Sequence, residues 1–313
     1  AGGTNVRFGV AESGPDGLVI RNFHKFVGTD FGNFYDALSH YAEITELKLS
    51  EMAAVFALAG PVDKGTVRLT NRDWTVSSDE IASRFGMSSV DLINDFVAMA
   101  RAVPELKRIA FECIKNGTAQ PDAPIIVAGP GTGFGVATLL PEKDNKQRVL
   151  NGEGGHTAYA PVTPIERALA ERLRSEFGFV STELVCAGIG FTPVHKALCE
   201  IMHVQYVPTH AQDIVALAAG GDDLFRELCE IRARGTMSAV GDLVLINGAH
   251  GGVVLAGGIS EHLAPYLKSA DAIARFEQRG PQAAYMARVP IHLMQDPVAP
   301  LIGAAAHRLD LLS

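Results

Sequence analysis

The stretch Val90-Asp91-Leu92-Ile93-Asn94-Asp95-Phe96 runs from apolar, strand-like residues into an adjacent amide and carboxylate, and a helix-like run from Val97 to Val103 follows at once. In an open α/β sheet the carboxyl end of a strand is where ligands bind. There Asp95 can take a proton from a substrate hydroxyl while Asn94 holds the substrate in place. The same pair also suits a plain N-cap for a helix over 97–103.

Three further clusters pair glycine with polar groups. Gly129-Pro130-Gly131-Thr132-Gly133-Phe134-Gly135 stands between strand-like 124–128 and 136–140, and glycine at every second position lets main-chain amides approach a phosphate. A tight Gly-rich hairpin is the alternative. No long helix follows, as a dinucleotide fingerprint requires, and no Lys-Ser/Thr ending marks a Walker A loop. Asn151-Gly152-Glu153-Gly154-Gly155-His156 puts a carboxylate and an imidazole on thinly clothed backbone. Hydrogen bonding to a polyol is the simplest chemistry for that pair, since no third or fourth metal ligand accompanies it; a turn without a task is the competing reading. Gly2-Gly3-Thr4-Asn5 combines two glycines with a hydroxyl and an amide in one turn, either a phosphate cradle or a bare hairpin turn.

The elements that must position these residues follow from periodicity. Strands are expected over 6–11, 18–23, 53–58, 66–70, 124–128, 136–140, 251–256 and 291–294. Phe34, Leu38, Tyr41 and Ile44 recur at helical spacing, and Ser78 with Ile81 and Phe85 suggests a short capped helix. Residues 165–177 form an amphipathic helix whose Glu and Arg read as a solvated face. Ser181-Thr182-Glu183 opens the segment to Gly190, and 191–247 is mostly helical. The strand ending at Ala256 meets Gly257-Gly258-Ile259 at a helix start, and 300–312 is a helix of small residues. Strands with interleaved helices make an α/β chain. Polar residues 115–124, with Gly and Pro, read as an inter-domain hinge.

With 313 residues the chain is long enough for two domains. Its net charge of −8 and pI of about 5.7 argue against a nucleic-acid surface. Four cysteines, Cys113, Cys186, Cys199 and Cys229, are scattered without a C-x-x-C pair, so each reads as a small core residue in a reducing compartment. No apolar run is long enough to cross a bilayer and no signal peptide opens the chain, so no membrane partner and a cytoplasmic location are expected.

Taken in order, these motifs make the chain resemble the bacterial glucokinases of the hexokinase-like, actin-fold superfamily, in the group without the zinc motif of the ROK kinases. The resemblance spans essentially the whole chain. It is carried by Gly2 to Asn5, Leu92 to Phe96, Gly129 to Val136, Gly152 to His156 with Ala160-Pro161, Ala256 to Ile259, and Leu301-Ile302-Gly303-Ala304-Ala305. It implies a two-domain actin/hexokinase-like fold with ribonuclease H-like motifs and an inter-domain cleft, divided as 1–105 plus 297–313 and 106–296. It implies Asp95 as general base toward the sugar hydroxyl, and Asn94, Glu153, His156 and Glu183 as sugar ligands. Gly2, Gly3, Thr4, Asn5, Gly131, Thr132 and Gly133 would embrace the phosphates of ATP, and Gly257 and Gly258 would approach its adenosine. Mg²⁺ would bridge the phosphates, with no metal ligand assigned in the chain. The implied reaction moves the γ-phosphoryl group of ATP to the 6-hydroxyl of glucose, in a homodimer. A kinase of fructose, mannose or an N-acetylhexosamine, or a sugar-sensing regulator without catalysis, are the alternatives.

Two departures accompany the resemblance. It implies a strand and a phosphate-binding Asp ahead of Ala1, and Ala187-Gly188-Ile189-Gly190 stands where Ser-Gly-Pro-Gly is usual.

Overall fold

A computed structural model of the protein describes residues 5–15, 17–70, 72–142 and 146–312. The chain divides into two compact units, one of Ala1–Arg108, Lys143–Asn151 and Asp296–Ser313, the other of Ile109–Glu142 and Gly152–Gln295.

The first unit opens with the antiparallel hairpin of Asn5–Gly14 and Gly17–Val27. The parallel pair Ala53–Leu58 and Ser89–Asn94 sets Leu58 opposite Asn94, so both strands end together. The core is aromatic. Phe8 meets Tyr41 at 5.1 Å between ring centroids and Phe34 at 5.8 Å, and Phe34 meets Phe56 at 5.2 Å. Phe34, Leu38 and Tyr41 bury one stripe of the helix Phe34–Thr45, as their spacing requires, whereas Ile44 ends up exposed. The helix Ser78–Phe85 is capped by Ser77, one residue earlier than the pattern suggested; its Oγ accepts from Glu80 N–H. The helix Asp95–Ala102 packs against Ala299–Leu312 so closely that a Cβ on Gly303 would run into the Ala98 carbonyl.

In the second unit the strands run in the order Phe134–Pro141, Ile125–Pro130, Gly252–Leu255, Ile291–Met294, Phe111–Lys115. Ile125–Pro130 and Gly252–Leu255 are parallel, so both carboxyl ends point the same way. The long helix Asp223–Asn247 is buried along most of its length, including Leu228, Ile231, Met237 and Val240. Cys186, Cys199 and Cys229 are core residues, but Cys113 is exposed.

Two expectations are corrected here. The helix Pro164–Phe177 does not keep all its charges in solvent. Glu166 is fully buried, bonded to Arg234 at 2.7 Å and to Arg275 at 2.9 Å, and it also accepts from the Val162 and Thr163 amides. Those partners lie 68 and 109 residues away in sequence, beyond the reach of local periodicity. The polar segment 115–124 is no hinge either. Thr118 N–H donates to the Arg288 carbonyl and Gln120 N–H to that of His250, which lace the segment into the second unit.

Candidate active site

The strand Ser89–Asn94 ends where the helix Asp95–Ala102 begins, and the cap reading of that junction holds. Asn94 is the N-cap. Its Oδ1 accepts from Phe96 N–H at 2.9 Å, and its Nδ2 donates to the Gly60 carbonyl at 3.2 Å. Asp95 is the first helical residue, half-buried, with Oδ1 accepting from Phe96 N–H at 3.0 Å. The helix starts at Asp95 rather than at Val97 because the Asn94 cap satisfies an amide of its first turn.

In the second unit the structure brings most of the remaining candidates into one place. The turn Gly131-Thr132-Gly133 links Ile125–Pro130 to Phe134–Pro141 and is closed by Gly131 N–H donating to the Gly133 carbonyl at 2.8 Å. That bond takes the Gly131 amide out of service for a phosphate and leaves those of Thr132 and Gly133. Gly257, at φ +97°, lies against the first end of the turn: a Cβ there would stand 2.6 Å from the Pro130 carbonyl and 3.2 Å from the Gly131 nitrogen. Only glycine combines that φ with that approach. Gly258 begins the helix Gly258–His262 and is uncrowded, so the demand for glycine falls on the first of the pair.

Glu183 lies at the second end of the turn. It belongs to the helix Thr182–Cys186, which Ser181 caps by accepting from Leu184 N–H. Its Oε2 accepts from Phe134 N–H at 2.7 Å, and a Cβ on Gly133 would stand 2.6 Å from that oxygen. His156 Nε2 is 3.9 Å from Glu183 Oε1, too long for a hydrogen bond and an ion pair only when the imidazole is protonated. His156 closes the 3₁₀ turn Gly154–His156, in which Gly154 and Gly155 lie flat on Val136 and Phe134, with no room for a Cβ. Glu153 precedes that turn, its carbonyl accepting from His156 N–H, and its side chain is exposed and makes no cap bond.

Asn5 opens the first strand, while Gly2, Gly3 and Thr4 lie outside the described residues. Among the described residues no group of three or more His, Cys, Asp or Glu converges to hold a metal ion, and no helix is long and apolar enough to cross a membrane. A groove in the first unit, lined by Gly9, Val10, Tyr41, Ala54, Phe56 and Leu301 among others, is apolar and contains none of the candidate residues.

What sequence reasoning missed is main-chain. Gly188 N–H donates to the Gly131 carbonyl and Ile189 N–H to that of Thr132, both at 2.9 Å, so the segment that departs from the usual pattern is bonded directly to the glycine turn. A proline at 189 would have no N–H to give. Behind it, the fully buried Arg232 donates to the Ala187 carbonyl at 3.0 Å. Burial pulls the Arg232 guanidinium down to about 10, well below the usual arginine range.

A sequence model of the glucokinase family matches residues 1–310. The chain belongs to the glucokinase family. A glucokinase of Caulobacter sp. (strain K31) is 36% identical over 305 residues, covering 97% of this chain and 92% of that protein. One of Chromobacterium violaceum is 34% identical over 314 residues, covering 100% and 88% respectively. Among solved structures, a glucokinase from an Antarctic psychrotroph superposes with a TM-score of 0.82 at 35% identity, covering 98% of this chain and 96% of that one. The mixed α/β fold is thus that of glucokinases, and the chain is an ATP-dependent hexose kinase with glucokinase function.

Proposed function

We propose that Asp95 is the general base of this glucokinase, and that Asn94, Glu153, His156 and Glu183 hold the sugar. Asp95 accepts the proton of the glucose 6-hydroxyl as that oxygen bonds to the γ-phosphorus of ATP and the bond from phosphorus to the ADP oxygen breaks. An ordinary carboxylate suffices, because in a loose phosphoryl-transfer transition state the hydroxyl need not ionise early. Carboxylates and amides reject sugars that lack the matching hydroxyls, since their own polar groups would go unpaired.

The observation that carries this reading is the glycine turn 131–133, with Gly257 packed at its first end and the Glu183 carboxylate at its second. It offers bare amides for phosphate and a fixed acceptor for a hydroxyl on one small scaffold. The amides of Thr132 and Gly133 serve the nucleotide phosphates, with Gly131 closing the turn that presents them; Gly257 and Gly258 serve the adenosine, and Gly2 to Asn5 the phosphates again. Gly258, with open space where a Cβ would stand, leaves room for the adenosine, while Gly257 packs on the turn itself. Mg²⁺ bound with the nucleotide would neutralise charge on its phosphates, with no residue of the chain assigned to hold it.

The scattered cysteines support the group without the ROK zinc motif, and we read the two units as the two domains of a hexokinase-like, actin-type fold with ribonuclease H-like motifs. A cytoplasmic, glycolytic role suits the reaction. Exposed Val162, Phe177 and Phe179, all bordering or within the helix Pro164–Phe177, suit a homodimer. The test is ADP release from ATP and Mg²⁺ with glucose, fructose, mannose and N-acetylglucosamine. Glucose should give the highest kcat/KM. Preference for another sugar overturns the glucose assignment, and glucose binding without turnover leaves a sugar sensor.

A further inference from the structure

Glu183 has more than one task in this geometry. Of its two carboxylate oxygens, Oε2 is taken by Phe134 N–H at 2.7 Å and Oε1 is the one facing His156. A bond from a main-chain amide to an ionised carboxylate is short and stronger than a neutral one, and the side chain is only 16% exposed. The turn that would receive the nucleotide phosphates is therefore tied to the helix that would receive the sugar. Gly188 and Ile189 N–H groups donate to the carbonyls of Gly131 and Thr132, and Ala187 N–H donates to the Glu183 carbonyl. Glycine turn, Glu183 and the 3₁₀ turn Gly188–Gly190 are one hydrogen-bonded piece.

We propose that Glu183 is a positioning residue for the nucleotide as well as a ligand of the sugar: Oε1 serves the acceptor, Oε2 holds the glycine turn in the shape that receives the donor phosphates. The inference rests on the glucokinase reading above and deepens it. The carboxylate and the turn share one hydrogen bond, so disturbing either disturbs the other: loosening the turn weakens the sugar, and removing the carboxylate weakens the nucleotide.

The experiment is calorimetric titration of the full chain with Mg²⁺-AMPPNP in the absence of sugar, and with glucose in the absence of nucleotide. Glu183→Ala should lose glucose binding and also weaken AMPPNP roughly tenfold, within the usual cost of leaving the Phe134 N–H unpaired. Glu183→Gln keeps an oxygen able to accept from Phe134 N–H, so AMPPNP affinity returns to within about threefold while glucose stays weak. Gly133→Ala places a Cβ 2.6 Å from Glu183 Oε2 and displaces it, so glucose binding weakens although residue 133 is in the nucleotide turn. Wild-type AMPPNP affinity in Glu183→Ala, or wild-type glucose affinity in Gly133→Ala, overturns the inference. Should Glu183→Ala fail to fold, the Gly133→Ala titration decides alone. A wild-type chain that binds both ligands yet forms no glucose 6-phosphate overturns the kinase reading and leaves the coupling standing.

Discussion

Asn94 ties two strand ends and a helix start with one side chain: its Nδ2 donates to the Gly60 carbonyl at 3.2 Å while its Oδ1 accepts from Phe96 N–H at 2.9 Å. Asp95 is the next residue, so its position is set by a neighbour whose amide is engaged at both ends. Asn94→Ala removes the cap and leaves the Gly60 carbonyl short of a donor. The expected cost is about 1–2 kcal/mol, read as a fall of several degrees in Tm. kcat should fall more than that loss explains, because Asp95 is no longer held.

Gly257 allows a sharper test of the nucleotide reading. Its φ of +97° and the 2.6 Å approach of a Cβ to the Pro130 carbonyl leave no room for alanine. Gly257→Ala should raise the KM for ATP and destabilise by about 1–3 kcal/mol. Gly258→Ala, in open space, should leave stability within about ±0.5 kcal/mol, the usual range for a surface change.

Glu166 belongs to stability rather than chemistry. Burial alone would raise its pKa, but the Val162 amide, the Arg234 and Arg275 guanidiniums and the Thr163 amide outweigh that and hold it below the usual carboxylate range. Its contribution is present at neutral pH and is lost as pH falls below the ordinary glutamate range toward the depressed folded pKa. Glu166→Gln takes from the buried Arg275 its ion-pair partner, while Arg234 keeps Glu227 and Glu230. A loss of about 3–5 kcal/mol is expected, measurable by urea titration, with wild-type kcat per folded molecule.

His195 supplies an acid sensitivity closer to neutrality. It is fully buried among Phe191, Tyr206 and Phe225, and desolvation pulls its pKa below the usual imidazole value against the opposing pull of Asp222. His307 is lowered by desolvation in the same direction, against Asp310 and Asp91. A depressed histidine pKa means the unfolded chain binds more protons. Stability is therefore complete above about pH 6.5 and declines as pH falls below it. His195→Phe should flatten that decline between pH 7 and 5 in thermal melts, leaving the share due to His307.

These particulars show how much the amino-acid sequence discloses. The strands Ala53–Leu58 and Ile291–Met294 occupy the spans read from short apolar runs, because their flanking polar and turn residues are local signals. The cap at Asn94 was legible for the same reason, since it acts through the nearest few residues. Glu166 was misread because helical spacing identifies a face without naming what packs on it, and its partners come from two distant helices. The amides of Phe134, Gly188 and Ile189 left no trace at all. Every residue but proline has an N–H, and only the fold decides which ones meet Glu183 and the glycine turn.

The most direct measurement is steady-state phosphorylation of glucose by the intact chain and by Asp95→Asn, which keeps the side chain's shape and its place at the head of the helix. Glucose affinity should change by no more than a few-fold, and kcat should fall by about 10²–10⁴, the usual worth of a positioned base. A variant that turns over glucose at the wild-type rate contradicts the account.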